Sequence, residues 1–156
     1  MSVIGKRVIN IDELKLEHFE KGDKYACDAV RIGPLLGAKD LGYSYDVVPP
    51  GKRSCPFHSH YGEEEMFFIV KGAGTLRYGN ETRKVRAGDF ICCPTGGPDT
   101  AHQLVNDSRE PLVSPKPQPS FAFRCSAACS APESAHGRLV QMTTLCRPAG
   151  LRLYML

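Results

Sequence analysis

The feature that most limits what this chain can fold into is a series of short β-friendly runs separated by turn residues. They cover Tyr25 to Ile32, Leu41 to Val48, Glu65 to Lys71, Gly74 to Tyr78, Thr82 to Arg86, Asp89 to Cys93 and His102 to Val105. Between them stand Gly33-Pro34, Pro49-Pro50-Gly51, Gly79-Asn80 and Ala87-Gly88-Asp89. Glycine reaches positive φ and proline presets φ, so such residues punctuate strands. Many short strands at this spacing predict an all-β sandwich or barrel. The 156 residues suffice for one such domain, since a domain takes roughly 100 to 200.

Composition narrows the class. Hydrophobic residues at 42% and charged residues at 24% suit a globular chain and argue against collagen-like, disordered and membrane-spanning ones. The longest dense apolar run, Met66 to Val70, falls far short of the roughly 20 residues of a membrane helix. The start, Met-Ser-Val-Ile-Gly-Lys-Arg, does not resemble a secretory signal, and the expectation is a soluble, cytoplasmic protein. A net charge of +3 is too small for a nucleic-acid groove, so neither nucleic acid nor membrane is expected as a partner. Seven cysteines, without a repeated Cys-x-x-Cys, are read as reduced thiols. Cys92 and Cys93 should point to opposite faces of their strand.

Three segments are expected. Residues 1–24 form an extension, with a short edge strand at Arg7 to Ile11 and a brief helix from Asp12 through Glu20, capped by the Asp12 carboxylate. Residues 25–113 form the barrel. Residues 114–156 form an irregular tail with at most a terminal strand at Leu151 to Leu156. In that tail Pro115, Pro117 and Pro119 alternate, each without the N–H that a ladder needs, which argues against a central strand. Five basic residues against one acidic, and Cys125, Cys129 and Cys146, also gather after Ser114. The reading is that the stretch from about Ser114 derives from a shifted reading frame and packs poorly, leaving the barrel short of an edge.

The chemistry gathers in four residues: His58, His60, Glu65 and His102. His58 and His60 are two apart, so on a strand both rings face one side and can converge. A hairpin to the next run would bring Glu65 beside them. Alternation places Glu65, Phe67 and Ile69 on one face and Glu64, Met66, Phe68 and Val70 on the other, and a strand apolar on both faces is expected to be buried on both. An inward carboxylate needs a compensating cation, which a metal held with neutral imidazoles supplies.

These residues resemble the two motifs of the cupin superfamily. The first runs Gly51 to His58-Ser-His60, then Glu65 and Gly72; its Gly51 to His58 gap is one residue longer than usual. The second runs Gly88 to Pro94-Thr-Gly96, then His102 and Asn106, with three extra residues between Gly96 and His102 that are expected to widen the site mouth. The resemblance covers Gly51 to Asn106 and extends upstream to about Tyr25. It implies a double-stranded β-helix, or jelly-roll barrel, with His58, His60, Glu65 and His102 on one divalent metal. It points most closely to small single-domain cupins of unassigned activity.

Glu63 and Glu64 compete with Glu65 for the carboxylate role, and the spacing to Gly72 favours Glu65. His18 and His136 are read as surface residues. Tyr43, Tyr45, Phe57, Tyr61 and Arg77 line a substrate pocket or simply pack the barrel. An octahedral ion on three His and one Glu keeps two open positions, and the metal is iron, manganese, nickel, cobalt or zinc. The site suits a metal-dependent dioxygenase, an isomerase of a small carbonyl or sugar-type substrate, or a non-catalytic small-molecule sensor. No catalytic residue beyond the ligands is singled out. A homodimer through the N-terminal strands is expected.

Overall fold

The structure is a computed structural model and describes residues 7–39, 41–119 and 153–155. Its strands are β1 (Glu17–Lys21), β2 (Tyr25–Arg31), β3 (Leu41–Val48), β4 (His58–His60), β5 (Glu65–Phe68) and β6 (Ala73–Tyr78). There follow β7 (Glu81–Arg86), β8 (Phe90–Cys93), β9 (His102–Val105), β10 (Leu112–Val113), β11 (Lys116–Pro119) and β12 (Leu153–Met155). Among the described residues the one short α-helix, α1 (Ile32–Leu35), falls where Gly33-Pro34 suggested only a turn.

One sheet runs β1-β2-β3-β10, with β11 also on β3, and the second runs β12-β4-β9-β6-β7. The β5-β8 pair joins the first sheet through backbone bonds from Phe68 N to Pro115 O (3.3 Å) and Val70 N to Val113 O (2.9 Å). Two antiparallel sheets packed face to face make the expected all-β jelly roll. Between them lies a core of Cys27, Val48, Phe67, Ile69, Val85, Ile91, Cys93, Leu104 and Leu112. Gly72 closes the first motif with φ +84, and a side chain there would run into the Pro111 carbonyl and Leu112 Cα; only glycine combines that conformation with that approach.

The N-terminal expectation is not met. Residues 7–10 form no strand, and the predicted helix is only a 3-10 turn at Ile11–Glu13, capped by the Asn10 side chain accepting from Asp12 N. The chain then enters β1, whose every residue has a ladder partner in β2, so cross-strand pairing overrides local helix signals.

The alternating prolines do not prevent a strand either. Leu112↔Val48 in β10 and Lys116↔Ser44 in β11 belong to one unbroken antiparallel register against β3, bridged by Ser114 N donating to Asp46 O (3.0 Å). Even-numbered residues therefore bond to β3, and the odd-numbered prolines turn their missing N–H away from it. On that other side Pro115 contributes its carbonyl, not an amide, to Phe68 N. Pairing with β3 thus extends through Pro119, beyond the expected boundary at 114. Most of the predicted tail, residues 120–152, lies outside the described residues, while Leu153–Met155 pairs with β4.

β5 is buried on one face, not both. Glu65, Phe67 and Ile69 are buried as the alternation requires, but Met66 is 46% and Val70 44% exposed, and Phe68 stacks on exposed Phe90 at 4.3 Å. Apolar character fits both outcomes, and only the second sheet's position decides which face is covered. In β8, Cys92 is exposed and Cys93 buried.

Candidate metal centre

The second sheet supplies the histidines: His58 and His60 from β4, and His102 from β9 directly opposite His58. Glu65 comes from β5 across the barrel. The predicted hairpin between its strand and β4 does not form, because β4 pairs with β9 while β5 pairs with β8. Closure of the two sheets, not a local turn, therefore brings the carboxylate to the imidazoles. One potential ligand atom from each of the four lies within 4.8 Å of all the others.

The orientation of the rings is set from behind. His58 Nδ1 lies 2.9 Å from Pro56 O and His102 Nδ1 lies 3.0 Å from Thr100 O. A carbonyl only accepts, so in both rings Nδ1 carries a proton, which leaves Nε2 as the atom turned toward the cluster and available to a cation. His60 Nδ1 faces Glu63 Oε1 at 2.9 Å. The three Nε2 atoms surround a single oxygen, Glu65 Oε2, at 3.6 Å from His58, 3.4 Å from His60 and 2.8 Å from His102. His60 Nε2 is buried without a hydrogen-bond partner. Three imidazole nitrogens and a carboxylate converging on one point, with an orphaned ring nitrogen among them, fit a cation, and the mixed imidazole and carboxylate set suits a first-row divalent metal.

The family model for the cupin domain matches residues 44–114, a span that contains all four of these residues. Through that span the chain belongs to the cupin superfamily. An uncharacterized protein of Methanocaldococcus jannaschii is 36% identical over 66 residues, 42% of this chain and 50% of that protein. A dimethylsulfoniopropionate lyase of Ruegeria pomeroyi is 33% identical over 78 residues, 49% of this chain and 38% of the lyase. This cupin thus spans half or less of the curated relatives it matches. Among solved structures, a candidate sugar phosphate isomerase of Acidithiobacillus ferrooxidans superposes with a TM-score of 0.68 at 27% identity, covering 74% of this chain and 76% of that one.

The insertion in the second cupin motif has a visible use. Pro98–Thr100 form a 3-10 turn, Gly96 N donates to His60 O (2.8 Å), and Thr100 offers the carbonyl that orients His102. The extra residues thus link two of the histidines. Glu63, a rival for the carboxylate role, stands behind His60, and Glu64 is exposed.

Two charged residues beside the cluster went unnoticed in the sequence. Lys116, 9% exposed, places Nζ 3.6 Å from Glu65 Oε1 and 3.7 Å from Asp46 Oδ2. Burial by itself would weaken its hold on the proton, but Glu65 and Asp46 outweigh that and raise its pKa. Glu65 behaves conversely. Burial pushes it up, yet the Lys116 charge and the surrounding His102, His58 and His60 rings hold it well below the usual carboxylate range. The proline pattern hid Lys116, and its inward direction is set by the register against β3. Asp46 lies in an ordinary β-run and carries no local signal.

The residues read as pocket lining or barrel packing take several positions. Tyr43 and Tyr45 alternate with buried Ser44 and Asp46 on β3, so they belong to the opposite face. Arg77 donates to Gln103 Oε1 (2.7 Å) and stacks over Phe57 at 4.5 Å. Tyr61 is 45% exposed, and His18 is an exposed residue paired with Asp28.

Proposed function

We propose that this cupin holds one divalent cation through His58, His60, Glu65 and His102, and binds or acts on a small molecule there. The convergence of the four donors within 4.8 Å carries the reading. When bound, the cation supplies Lewis acidity for polarising a carbonyl or holding an oxygen-rich ligand. The chain's own part is to orient His58 and His102 through the Pro56 and Thr100 carbonyls, to set the Glu63 carboxylate behind His60, and to keep Glu65 ionised beside Lys116. The reaction we favour is isomerisation of a small carbonyl or sugar-type substrate, a reading supported by the likeness to the candidate sugar phosphate isomerase.

Elemental analysis of protein purified without an affinity tag tests the site. About one ion of iron, manganese, nickel, cobalt or zinc per chain is expected, and a protein that neither carries nor takes up any of them overturns the proposal. Oxygen uptake against diketones, thiols and phenols separates the rival dioxygenase, which consumes oxygen, from the isomerase, which does not. Glu63→Ala is expected to weaken metal affinity roughly 10- to 100-fold, as loss of an outer partner to a histidine ligand does. Isothermal titration with the native metal measures it.

A cytoplasmic homodimer built through the N-terminal strands belongs to the same proposal. All five residues of β1 are exposed, and β2 is its one neighbour among the described strands. Such an edge is a template for pairing, most often in a closed two-fold dimer. Light scattering at micromolar concentration should give twice the chain mass of 17.1 kDa, and a stable monomer counts against it. Among the described residues no helix is long and apolar enough to cross a membrane.

A further inference from the structure

We infer that Lys116 is a positioning residue that keeps Glu65 a one-oxygen ligand, and so leaves the cation open to a small molecule that chelates through two neighbouring oxygens. The inference rests on the metal reading above. The two oxygens of Glu65 face different partners. Oε2 lies among the three imidazole Nε2 atoms at 2.8 to 3.6 Å, whereas Oε1 lies 3.6 Å from Lys116 Nζ.

The ammonium is itself held in place. Asp46 Oδ2 lies 3.7 Å from it, the ring of Phe67 lies below it at 5.4 Å, and Lys116 stands directly opposite Ser44, two positions before Asp46 on β3. Asp46 and Lys116 are therefore fixed relative to each other by one ladder, and Glu65 by another. Lys116 and Glu65 are both buried, at 9% and 5% exposure, so water cannot replace the ion pair if Oε1 swings away. That cost opposes rotation of both oxygens onto the cation. An octahedral ion on three imidazoles and one carboxylate oxygen keeps two places for a chelating ligand, while a two-oxygen Glu65 would close one of them. Vicinal hydroxy-carbonyl, α-keto acid and α-hydroxy acid groups are ligands of the class that needs both.

Lys116 could also serve only to neutralise two buried carboxylates, which would affect stability but not the coordination of the ion. Manganese(II) alone is the probe that separates the roles, with bound waters counted by electron paramagnetic resonance in water enriched in a magnetic oxygen isotope. We expect two waters in the parent, one in Lys116→Met, and two again in Lys116→Arg, which restores the cation. Equal counts in the parent and Lys116→Met overturn the inference, as does a single water in the parent. If Lys116→Met does not fold, Lys116→Gln removes the same charge and is held to the same counts. Failure of the parent to bind manganese or any of the other candidate metals is a different result, and overturns the metal reading itself.

Discussion

His60→Ala and His102→Ala are each expected to purify with well under one ion per chain under conditions in which the parent holds about one. Each removes one of four donors. The loss in affinity should exceed the roughly 10- to 100-fold typical of an outer partner. His60 offers the cleaner result, because its Nε2 has no hydrogen-bond partner to forfeit. His102 is 2% exposed and packs against the Phe67 ring at 5.9 Å, so its removal also opens a gap in the interior. Circular dichroism of both variants with a chelator present separates loss of fold from loss of metal. His18→Ala is the control: its side chain is 58% exposed and pairs with Asp28, far in role from the cluster, and metal content should be unchanged. Full metal retention in both ligand variants would remove the proposal.

The second large effect concerns Asn106, the last residue of the second cupin motif. It is fully buried, and its amide donates to Val48 O and Glu110 O, both at 2.8 Å. Its oxygen accepts from Ser108 N (3.1 Å) and Ser108 Oγ (2.8 Å). One side chain thus ties the end of β9 to the end of β3 and to the turn leading into β10. Asn106→Ala leaves these groups unsatisfied, and at about 1–3 kcal/mol for each buried one a loss of about 3 kcal/mol is expected. That corresponds to a fall in Tm of roughly 6–12 °C for a chain of this size. Asn106→Asp separates hydrogen bonding from volume. It keeps the shape but turns a carboxylate oxygen toward two carbonyls, so it should destabilise at least as much as Ala. Urea or thermal unfolding of the two variants measures this, and an Asp variant as stable as the parent would contradict the hydrogen-bond account.

Local sequence determined most of the strands and the identity of the clustered residues. His58 and His60 could be paired from alternation alone, because two positions along any strand return a side chain to the same face. Gly88, with φ +95, marks a turn whose requirement is likewise local. The choice of Glu65 was also legible, since its parity with the buried Phe67 and Ile69 sets aside Glu64 and the spacing to Gly72 sets aside Glu63.

Partnerships across the barrel were not legible in this way. Whether the second face of β5 is covered depends on where the opposite sheet ends, and Met66 and Val70 look the same in sequence in either case. The prolines at 115, 117 and 119 show the limit most clearly. Sequence reveals that three amides are missing, but the register against β3 decides which way those absent N–H groups point, and here they point away from the β3 ladder. The same register turns Lys116 inward beside Asp46 and Glu65. Alternation is a property of a few neighbouring bonds and can be read locally, whereas register is set only when distant strands close on a common core, so tertiary structure alone could place that lysine.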